Sequence, residues 1–145
     1  MPGGTILWLD WPTMSTPVIA IYSDDSSVRA SITAALGTQV ASDLPKHSIM
    51  EFATANALRV YADAGNQIAL FILDGEAVPE GGMGIARAFK DEIFHCPPVL
   101  LITGRVQDAW LASWSRADEV VIHPIDPFLL ADKTASLLRA RLSIV

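Results

Sequence analysis

The sequence predicts an α/β domain in which a parallel five-stranded sheet is covered by helices on both faces. Two observations carry this prediction: a composition of 51% hydrophobic and 18% charged residues, and short apolar runs that alternate with helical segments. Continuous runs rich in β-branched residues are typical of strands buried on both faces of a parallel sheet. Such runs occupy residues 18–22, 49–53, 68–73, 98–103 and 120–122. Glu51 interrupts the second run, which indicates an edge strand or one exposed face.

A helical pattern follows each of these runs. The first, 26–36, has capping candidates at residues 24–26 and a glycine after its end. The others cover residues 54–64, 83–94, 106–117 and 126–142, the last with Pro127 at an early position that tolerates proline. Residues 38–46 form a longer connection than such loops need and are predicted to be a surface insertion. Strands that alternate with helices through short loops imply right-handed crossovers and a doubly wound sheet.

The composition excludes several classes of protein. A chain of 145 residues fits one domain, and a net charge of −6 without a basic cluster disfavours nucleic acid as a partner. Cys96 is the single cysteine, so an internal disulfide is impossible and a reducing compartment fits. No apolar stretch reaches the ~18 residues of a membrane span, and the first residues lack the positive charge of a signal peptide. We therefore expect a cytoplasmic protein without direct membrane insertion.

Polar side chains follow the strands at one edge of the predicted sheet. Asp24 and Asp25 follow the first strand, Asp74 ends the third, and Thr103 and His123 come from the fourth and fifth. In the strand order 2-1-3-4-5, ligands bind where the first and third strands diverge. Clustered carboxylates repel one another unless a cation lies between them, and Mg²⁺ favours one or two carboxylates plus water. This edge is therefore the predicted site.

Five short motifs at these strand ends resemble the response-regulator receiver domain, the CheY-like family. They are Ile21-Tyr22-Ser23-Asp24-Asp25, Leu73-Asp74, Pro79, Ile102-Thr103-Gly104 and Val121-Ile122-His123-Pro124. The resemblance spans residues 17–142. It implies a flavodoxin-like sheet of order 2-1-3-4-5, with a receiver-like domain at 17–145 after an N-terminal extension, 1–16. Translation from either Met1 or Met14 would give a complete domain.

The resemblance implies a role for each matching residue. Asp74 corresponds to the phosphoacceptor, Asp24 to one of two acids that hold Mg²⁺, and Glu76 to the position whose carbonyl completes the metal site. Thr103 corresponds to the hydroxyl residue that contacts the phosphoryl group, and His123 stands in place of the family's lysine. The resemblance thus implies a candidate Mg²⁺ site at Asp24, Asp74 and Glu76, and the residues themselves establish no cofactor.

Three departures from the family pattern make this an atypical receiver. Ser23 stands where the second metal acid is expected, although Asp25 is close enough in sequence to compensate in part. Histidine at 123 is shorter than lysine and mostly neutral near pH 7. The loop after Asp74 is also longer than in the family. Because phosphoryl transfer depends on positioned charge, the sequence predicts slow or absent phosphorylation of Asp74.

Each site residue also has a structural interpretation that the sequence leaves open. Asp24 fits an N-cap of the first helix, and Asp74 fits a cap of the loop that follows it. Thr103 fits a loop hydrogen bond. His123 precedes Pro124, and this peptide bond is commonly cis in receivers, so a structural role fits it as well.

Four tryptophans are the predicted partner-binding residues. Trp110 and Trp114 share one face of the fourth helical segment, and we expect at least one of these rings to pack inward. Receivers use the face of the fourth helix, fifth strand and fifth helix for partners, and exposed tryptophan is a favoured interface anchor. Trp8 and Trp11 lie in an apolar segment before the first strand, where a receiver core has no place for them.

The nearest resemblance is to small stand-alone orphan receivers of the actinobacterial type, through residues 73–86 and 110–116. It implies function through protein–protein contacts, without enzymatic activity or an output domain. The implied partner is a large assembly that faces the cytoplasm at the membrane, with the respiratory NADH dehydrogenase as one candidate. Two alternatives stay open. One is a switch phosphorylated on Asp74 by a histidine kinase, and the other is a small flavin carrier of the same fold.

Overall fold

The computed structural model describes residues 16–105 and 109–142 and shows one parallel sheet. Its strands, in chain order, are β1 (Val18–Tyr22), β2 (Ser48–Phe52), β3 (Leu70–Asp74), β4 (Val99–Thr103) and β5 (Glu119–Ile122). All four neighbouring pairs are parallel, in the order β2-β1-β3-β4-β5. The predicted fold class and strand order are therefore confirmed. Glu51 lies on the edge strand β2, as its position in the second run indicated.

Five helices connect and follow these strands in the described part of the chain. They are α1 (Ser26–Leu36), α2 (Ala55–Asp63), α3 (Gly82–Glu92), α4 (Ala109–Trp114) and α5 (Pro127–Leu142). α1 matches its predicted bounds, and Pro127 begins α5. No helix among these is long and apolar enough to cross a membrane.

Two helices end at least two residues earlier than the sequence predicted. α3 ends at Glu92 instead of residue 94, because Ile93 is already extended at φ −92°, ψ 120° and leads towards Pro97 and Pro98. α4 ends at Trp114 instead of residue 117, and Arg116 adopts a left-handed φ of 64° that a helix cannot continue. Residues 106–108, at the predicted start of this helix, lie outside the described part.

The core consists of two layers, one on each face of the sheet. Alternate residues of β1 divide between them: Ile19 and Ile21 pack on the side of α1 and α5, whereas Ala20 and Tyr22 pack on the side of α2 and α3. Every residue of β3 and β4 is buried. Continuous apolar runs are thus needed here, since each side chain enters one layer or the other.

The insertion between α1 and β2 is anchored to the domain rather than free on its surface. Leu44 is buried in the layer that contains α1 and α5. Asp43 forms an ion pair with Arg139 of α5, with 2.7 Å between Oδ2 and Nε. His47, at the end of the insertion, is 7% exposed. The predicted surface insertion therefore contributes to the core between two helices.

Candidate functional site

The carboxyl ends of β1 and β3 bring Ser23 and Asp74 together. Tyr22 and Leu73 are paired in register, so the residues that follow them lie side by side at the sheet edge. Ser23 is fully buried and Asp74 is 3% exposed. A carboxylate this deep has to be hydrogen-bonded if it is charged.

Three groups hold the Asp74 carboxylate. Ser23 donates its hydroxyl to Oδ2 at 2.8 Å, and the backbone N–H of Glu76 donates to Oδ1 at 2.9 Å. The ring Nε2 of His123 lies 3.2 Å from the same Oδ1 and donates to it in the tautomer protonated at Nε2. Both carboxylate oxygens are therefore occupied by the protein itself.

His123 reaches Asp74 from β5, across β4. Its backbone N–H donates to the carbonyl of Thr103 at 2.8 Å, and the following bond to Pro124 is cis, as the family resemblance implied. Thr103 is buried at the end of β4, one residue before Gly104. In the structure, His123 therefore contacts the predicted phosphoacceptor. Thr103 contributes the backbone carbonyl that binds the N–H of His123.

Asp24 holds the loop that follows Asp74. Its Oδ1 accepts a hydrogen bond from the backbone N–H of Val78 at 3.0 Å, so it does not cap α1. The cap is Asp25, whose Oδ1 accepts from the backbone N–H of Ser27 at 2.8 Å and also from the Ser27 hydroxyl. These hydrogen bonds lower the pKa of Asp25. Asp25 therefore caps α1, and Asp24 holds the loop after Asp74.

The same loop has two further attachments that the sequence analysis missed. Tyr22 donates its hydroxyl hydrogen to the carbonyl of Glu80 at 2.5 Å. The Glu80 carboxylate forms a bidentate ion pair with Arg59 of α2. Burial, followed by the negative charge of Glu80, raises the pKa of Tyr22. The arginine in turn lowers the pKa of Glu80. The unusual length of the loop after Asp74 was the only sequence signal for these contacts.

A crevice of about 490 Å³ lies beside Asp74, at the switch in strand order. The lining residues are Asp24, Asp25, Val28, Asp74, Glu76, Gly104 and His123. Glu76 extends its carboxylate over Gly104, where an added Cβ would lie 2.5 Å from Oε1. A side chain at position 104 would therefore displace Glu76. The crevice carries four carboxylates and one imidazole, which makes it strongly acidic.

Comparison with known proteins decides the family. No protein-family model matches the chain. The uncharacterized response regulatory protein of Mycobacterium tuberculosis, in strains CDC 1551 / Oshkosh and ATCC 25618 / H37Rv, is 49% identical over 130 residues, which are 89% of this chain and 97% of the relative. The chain belongs to the response-regulator family.

Solved receiver structures agree with the fold of this response regulator. The CheY-like receiver domain protein of Methanospirillum hungatei JF-1 matches with a TM-score of 0.69 at 19% identity, covering 88% of this chain and 97% of that one. CheY4 of Vibrio cholerae matches with a TM-score of 0.70 at 14% identity, covering 85% and 99%. Identities this low show the fold alone, which is that of a CheY-like receiver domain.

Receiver domains typically bind Mg²⁺ for phosphorylation, and the donor set of this receiver fits that ion poorly. Asp24, Asp74 and Glu76 do line one crevice. However, within residues 16–105 and 109–142 no group of three or more His, Cys, Asp or Glu is arranged to hold a metal ion. Asp74 already accepts hydrogen bonds on both oxygens, and Asp24 accepts one from Val78. Mg²⁺ at Asp74 or Asp24 would share these oxygens with the hydrogen-bond donors that already contact them.

The described tryptophans of this receiver are both exposed. Trp110 is 68% exposed and Trp114 is 48% exposed, so the expectation that at least one ring packs inward is wrong. Residues i and i+4 share a helix face, and in α4 that face points to solvent. The guanidinium of Arg87 lies over the Trp114 ring, 5.4 Å from its centroid, which gives that ring a partly fixed position. Trp8 and Trp11 lie outside the described residues.

Proposed function

We propose that this receiver acts through protein–protein contacts and does not depend on phosphorylation of Asp74. The observation that carries the proposal is the closed hydrogen-bond set around Asp74, formed by Ser23, His123 and the backbone of Glu76. In it, a neutral hydroxyl and an imidazole stand where the family has an acid and a lysine. The protein therefore stabilises the carboxylate without a cation and without a fixed positive charge.

Phosphorylation would have to disrupt that set. Transfer forms a bond between an Asp74 oxygen and phosphorus while the donor's bond to that phosphorus breaks, which is P–N in a phosphohistidine and P–O in acetyl phosphate. If Oδ2 reacts, it loses the Ser23 hydroxyl as a partner in a fully buried position. If Oδ1 reacts, it competes with His123 and with the Glu76 N–H. The four carboxylates of the crevice also repel an incoming phosphate. We therefore expect slow transfer at either oxygen.

The surface we propose for the partner combines exposed apolar side chains of α4, β5 and α5. Besides Trp110 and Trp114, they are Ile122, Phe128 and Leu129, with Phe128 83% exposed. Large exposed rings are frequent anchors of protein interfaces, because truncating them removes much of the binding free energy. Receiver domains interact with kinases or effectors, and this surface fits an effector with an apolar recess.

For the partner we propose a large assembly that faces the cytoplasm, with the respiratory NADH dehydrogenase as the candidate. The support is the resemblance to orphan receivers of the actinobacterial type, together with relatives in Mycobacterium tuberculosis. In this proposal the receiver-like domain of residues 17–145 is a non-enzymatic accessory, and it reaches the membrane through the assembly. Contact of Trp8 and Trp11 with the partner stays a prediction.

The test is binding of the purified full chain to detergent-solubilised NADH dehydrogenase, measured as a dissociation constant. Trp110→Ala should weaken binding by about thirtyfold, the equivalent of ~2 kcal/mol at an interface anchor. Asp74→Asn should change it by less than about twofold. Phe94→Ala is the matched control, because Phe94 is also exposed but lies outside the proposed surface. No binding by the wild type would reject this partner.

A switch driven by phosphorylation is the second candidate. It is favoured by the position of Asp74 at the end of β3, facing a crevice open enough to admit a phosphodonor. In that case Asp74→Asn would abolish partner binding, whereas Trp110→Ala would bind the partner as the wild type does. The two functions therefore give opposite results in the same binding experiment.

A further inference from the structure

A second cleft lies at the opposite edge of the sheet, where β3 and β4 begin. It encloses about 130 Å³, and its lining includes Ile68, Phe71, Ile93, Phe94, Pro97 and Arg141. Phe94, at 87% exposure, is more exposed than the other large hydrophobic side chains of the described residues. Its ring lies 4.1 Å from that of His95. An aromatic ring so placed leaves apolar area in water that a covering group would bury favourably.

The chain enters the sheet beside this cleft. The N–H of Ala69 donates to the carbonyl of Val18 at 2.8 Å, and Ile68, the residue before Ala69, lines the cleft. Adjacent strands are about 4.8 Å apart, so Thr16 and Pro17 lead into β1 beside the strand that follows Ile68. Five residues span at most about 17 Å. Trp11 is therefore close enough in sequence to reach the cleft.

The segment at residues 6–11 and this cleft are complementary in chemistry. The segment, Ile-Leu-Trp-Leu-Asp-Trp, has five apolar residues and one charge, Asp10. The cleft has one guanidinium, Arg141, whose Nη1 donates to the carbonyl of His95 at 3.1 Å. Its Nε is buried and has no hydrogen-bond partner within the described part of the chain. A carboxylate is the group that best satisfies such a donor.

We propose that residues 6–11 pack into this cleft of their own chain, with Trp11 against Phe94 and Asp10 paired with Arg141. The occupant is thus a part of the same molecule that leads directly to the cleft. It covers the exposed ring and supplies a carboxylate to the guanidinium of Arg141, whose Nε has no hydrogen-bond partner within the described residues. This assigns Trp11 to the surface of its own domain, whereas the sequence alone predicted partner contact.

A double-mutant cycle on the full chain tests the packing contact. In urea unfolding, Trp11→Ala should raise the equilibrium constant for unfolding about tenfold in the wild-type background and about twofold or less in the Phe94→Ala background. Phe128→Ala is the matched control, since Phe128 has nearly the same exposure but belongs to the surface at the other edge. In that background the tenfold effect should be retained. Equal effects of Trp11→Ala in all three backgrounds would overturn the proposal.

A second cycle, Asp10→Asn with Arg141→Gln, tests the ion pair and should show coupling of about threefold or more. Both couplings should be independent of protein concentration. Coupling that grows with concentration, together with a dimer in sedimentation, would mean that a second copy fills the cleft and would overturn the proposal. Unchanged stability in Trp11→Ala, with weaker partner binding, would overturn it as well, because the segment would then serve the partner alone.

Discussion

The immediate neighbours of Asp74 decide what its carboxylate can do. An acid at position 23 would add negative charge beside Oδ2 and require a cation, whereas Ser23 donates a hydrogen bond to that oxygen at 2.8 Å. A lysine at position 123 would supply a permanent positive charge, whereas His123 supplies a ring nitrogen 3.2 Å from Oδ1. Both replacements remove charge that phosphoryl transfer uses. Ser23 and His123 instead contact the unmodified carboxylate through hydrogen bonds.

Phosphorylation of Asp74 is accordingly expected to be slow. Incubated with acetyl phosphate and Mg²⁺, the wild type should incorporate little phosphate, measured by intact-protein mass spectrometry over hours. The double variant Ser23→Asp/His123→Lys restores the family's charges and should react about tenfold faster or more. Asp74→Asn in that double variant is the control for the site of labelling. Rapid, stoichiometric labelling of the wild type that disappears in Asp74→Asn would contradict this view of the site.

We expect His47 to make the stability of the domain depend on pH. Burial lowers its pKa below the ordinary 6.5, and the nearby backbone of Gly37 only partly offsets this. Below about pH 6.5 the unfolded chain therefore binds a proton that the folded protein excludes, so stability falls as the pH decreases. Neither ring nitrogen of His47 has a side-chain hydrogen-bond partner among the described residues that would stabilise the protonated ring.

We expect urea unfolding between pH 7 and pH 5 to show this loss of stability in the wild type. In His47→Gln the loss should be smaller over the same pH range, because glutamine does not titrate. The comparison uses the difference between the two proteins, so that other titrating groups cancel. Parallel pH profiles of the two proteins would show that His47 contributes nothing to the pH dependence.

The sequence predicted that Asp24, Asp74 and His123 meet at one crevice, but it did not predict their hydrogen-bond partners. Asp24, Asp74 and His123 follow apolar runs that end at one sheet edge, and topology alone brings them together. Whether Asp24 or Asp25 caps α1 depends on side-chain rotamers, which a pattern does not contain. The structure gives the cap to Asp25. It also gives Ser23, which the sequence marked only as a missing acid, a direct contact with Asp74.

At the level of elements, three side-chain contacts hold the connection between β3 and α3. Asp24 accepts from Val78, and Glu80 is held by Tyr22 and by Arg59. The Arg59–Glu80 ion pair is a modest contact, because both side chains are more than a third exposed and such pairs contribute ~1 kcal/mol or less. Together the three contacts fix a loop that the family resemblance marked as unusually long.

Hydrogen exchange can test whether Asp24 secures this loop. In Asp24→Ala the amide of Val78 loses its acceptor and should exchange about fivefold faster, which corresponds to a net hydrogen-bond contribution of ~1 kcal/mol. Asp25→Ala is the matched control, because that neighbouring carboxylate serves α1. It should speed exchange at Ser27 and leave Val78 unchanged. Equal Val78 exchange in Asp24→Ala and the wild type would exclude the loop contact in solution.

Element boundaries followed from the sequence where a local signal was strong. α1 begins after a capping aspartate and ends before Gly37, whose φ is 57°, and both signals are visible in the sequence. The ends of α3 and α4 carried no such signal. Arg116 adopts a left-handed backbone where glycine would be usual, and apolar periodicity had suggested that the helix continues. The prediction of an inward-facing tryptophan was wrong for a related reason. Periodicity shows that two residues share a helix face but not whether that face points to the core or to solvent.

At the scale of the whole molecule, one sheet lies between two apolar layers, and each strand contributes side chains to both of them. Ile72 and Leu73 are neighbours on β3 and both are fully buried, yet the first packs with α1 and α5 and the second with α2 and α3. Neither layer can lose its packing without exposing a face of the same strand. Both layers should therefore unfold in one cooperative transition.

Truncation on either face of β3 should confirm this. Ile72→Ala and Leu73→Ala each remove a fully buried side chain, and each should destabilise the domain by ~2–5 kcal/mol because a cavity remains where the side chain packed. In a Trp8→Phe/Trp11→Phe background, tryptophan fluorescence reports on α4 and far-UV circular dichroism reports on all helices. In both variants the two probes should give the same urea midpoint. Val60→Ala, at a 61% exposed position of α2, is the control and should cost less than about 0.5 kcal/mol. Midpoints that separate in one variant only would mean that the two layers unfold independently, and a partner bound at α4 would then stabilise one layer without the other.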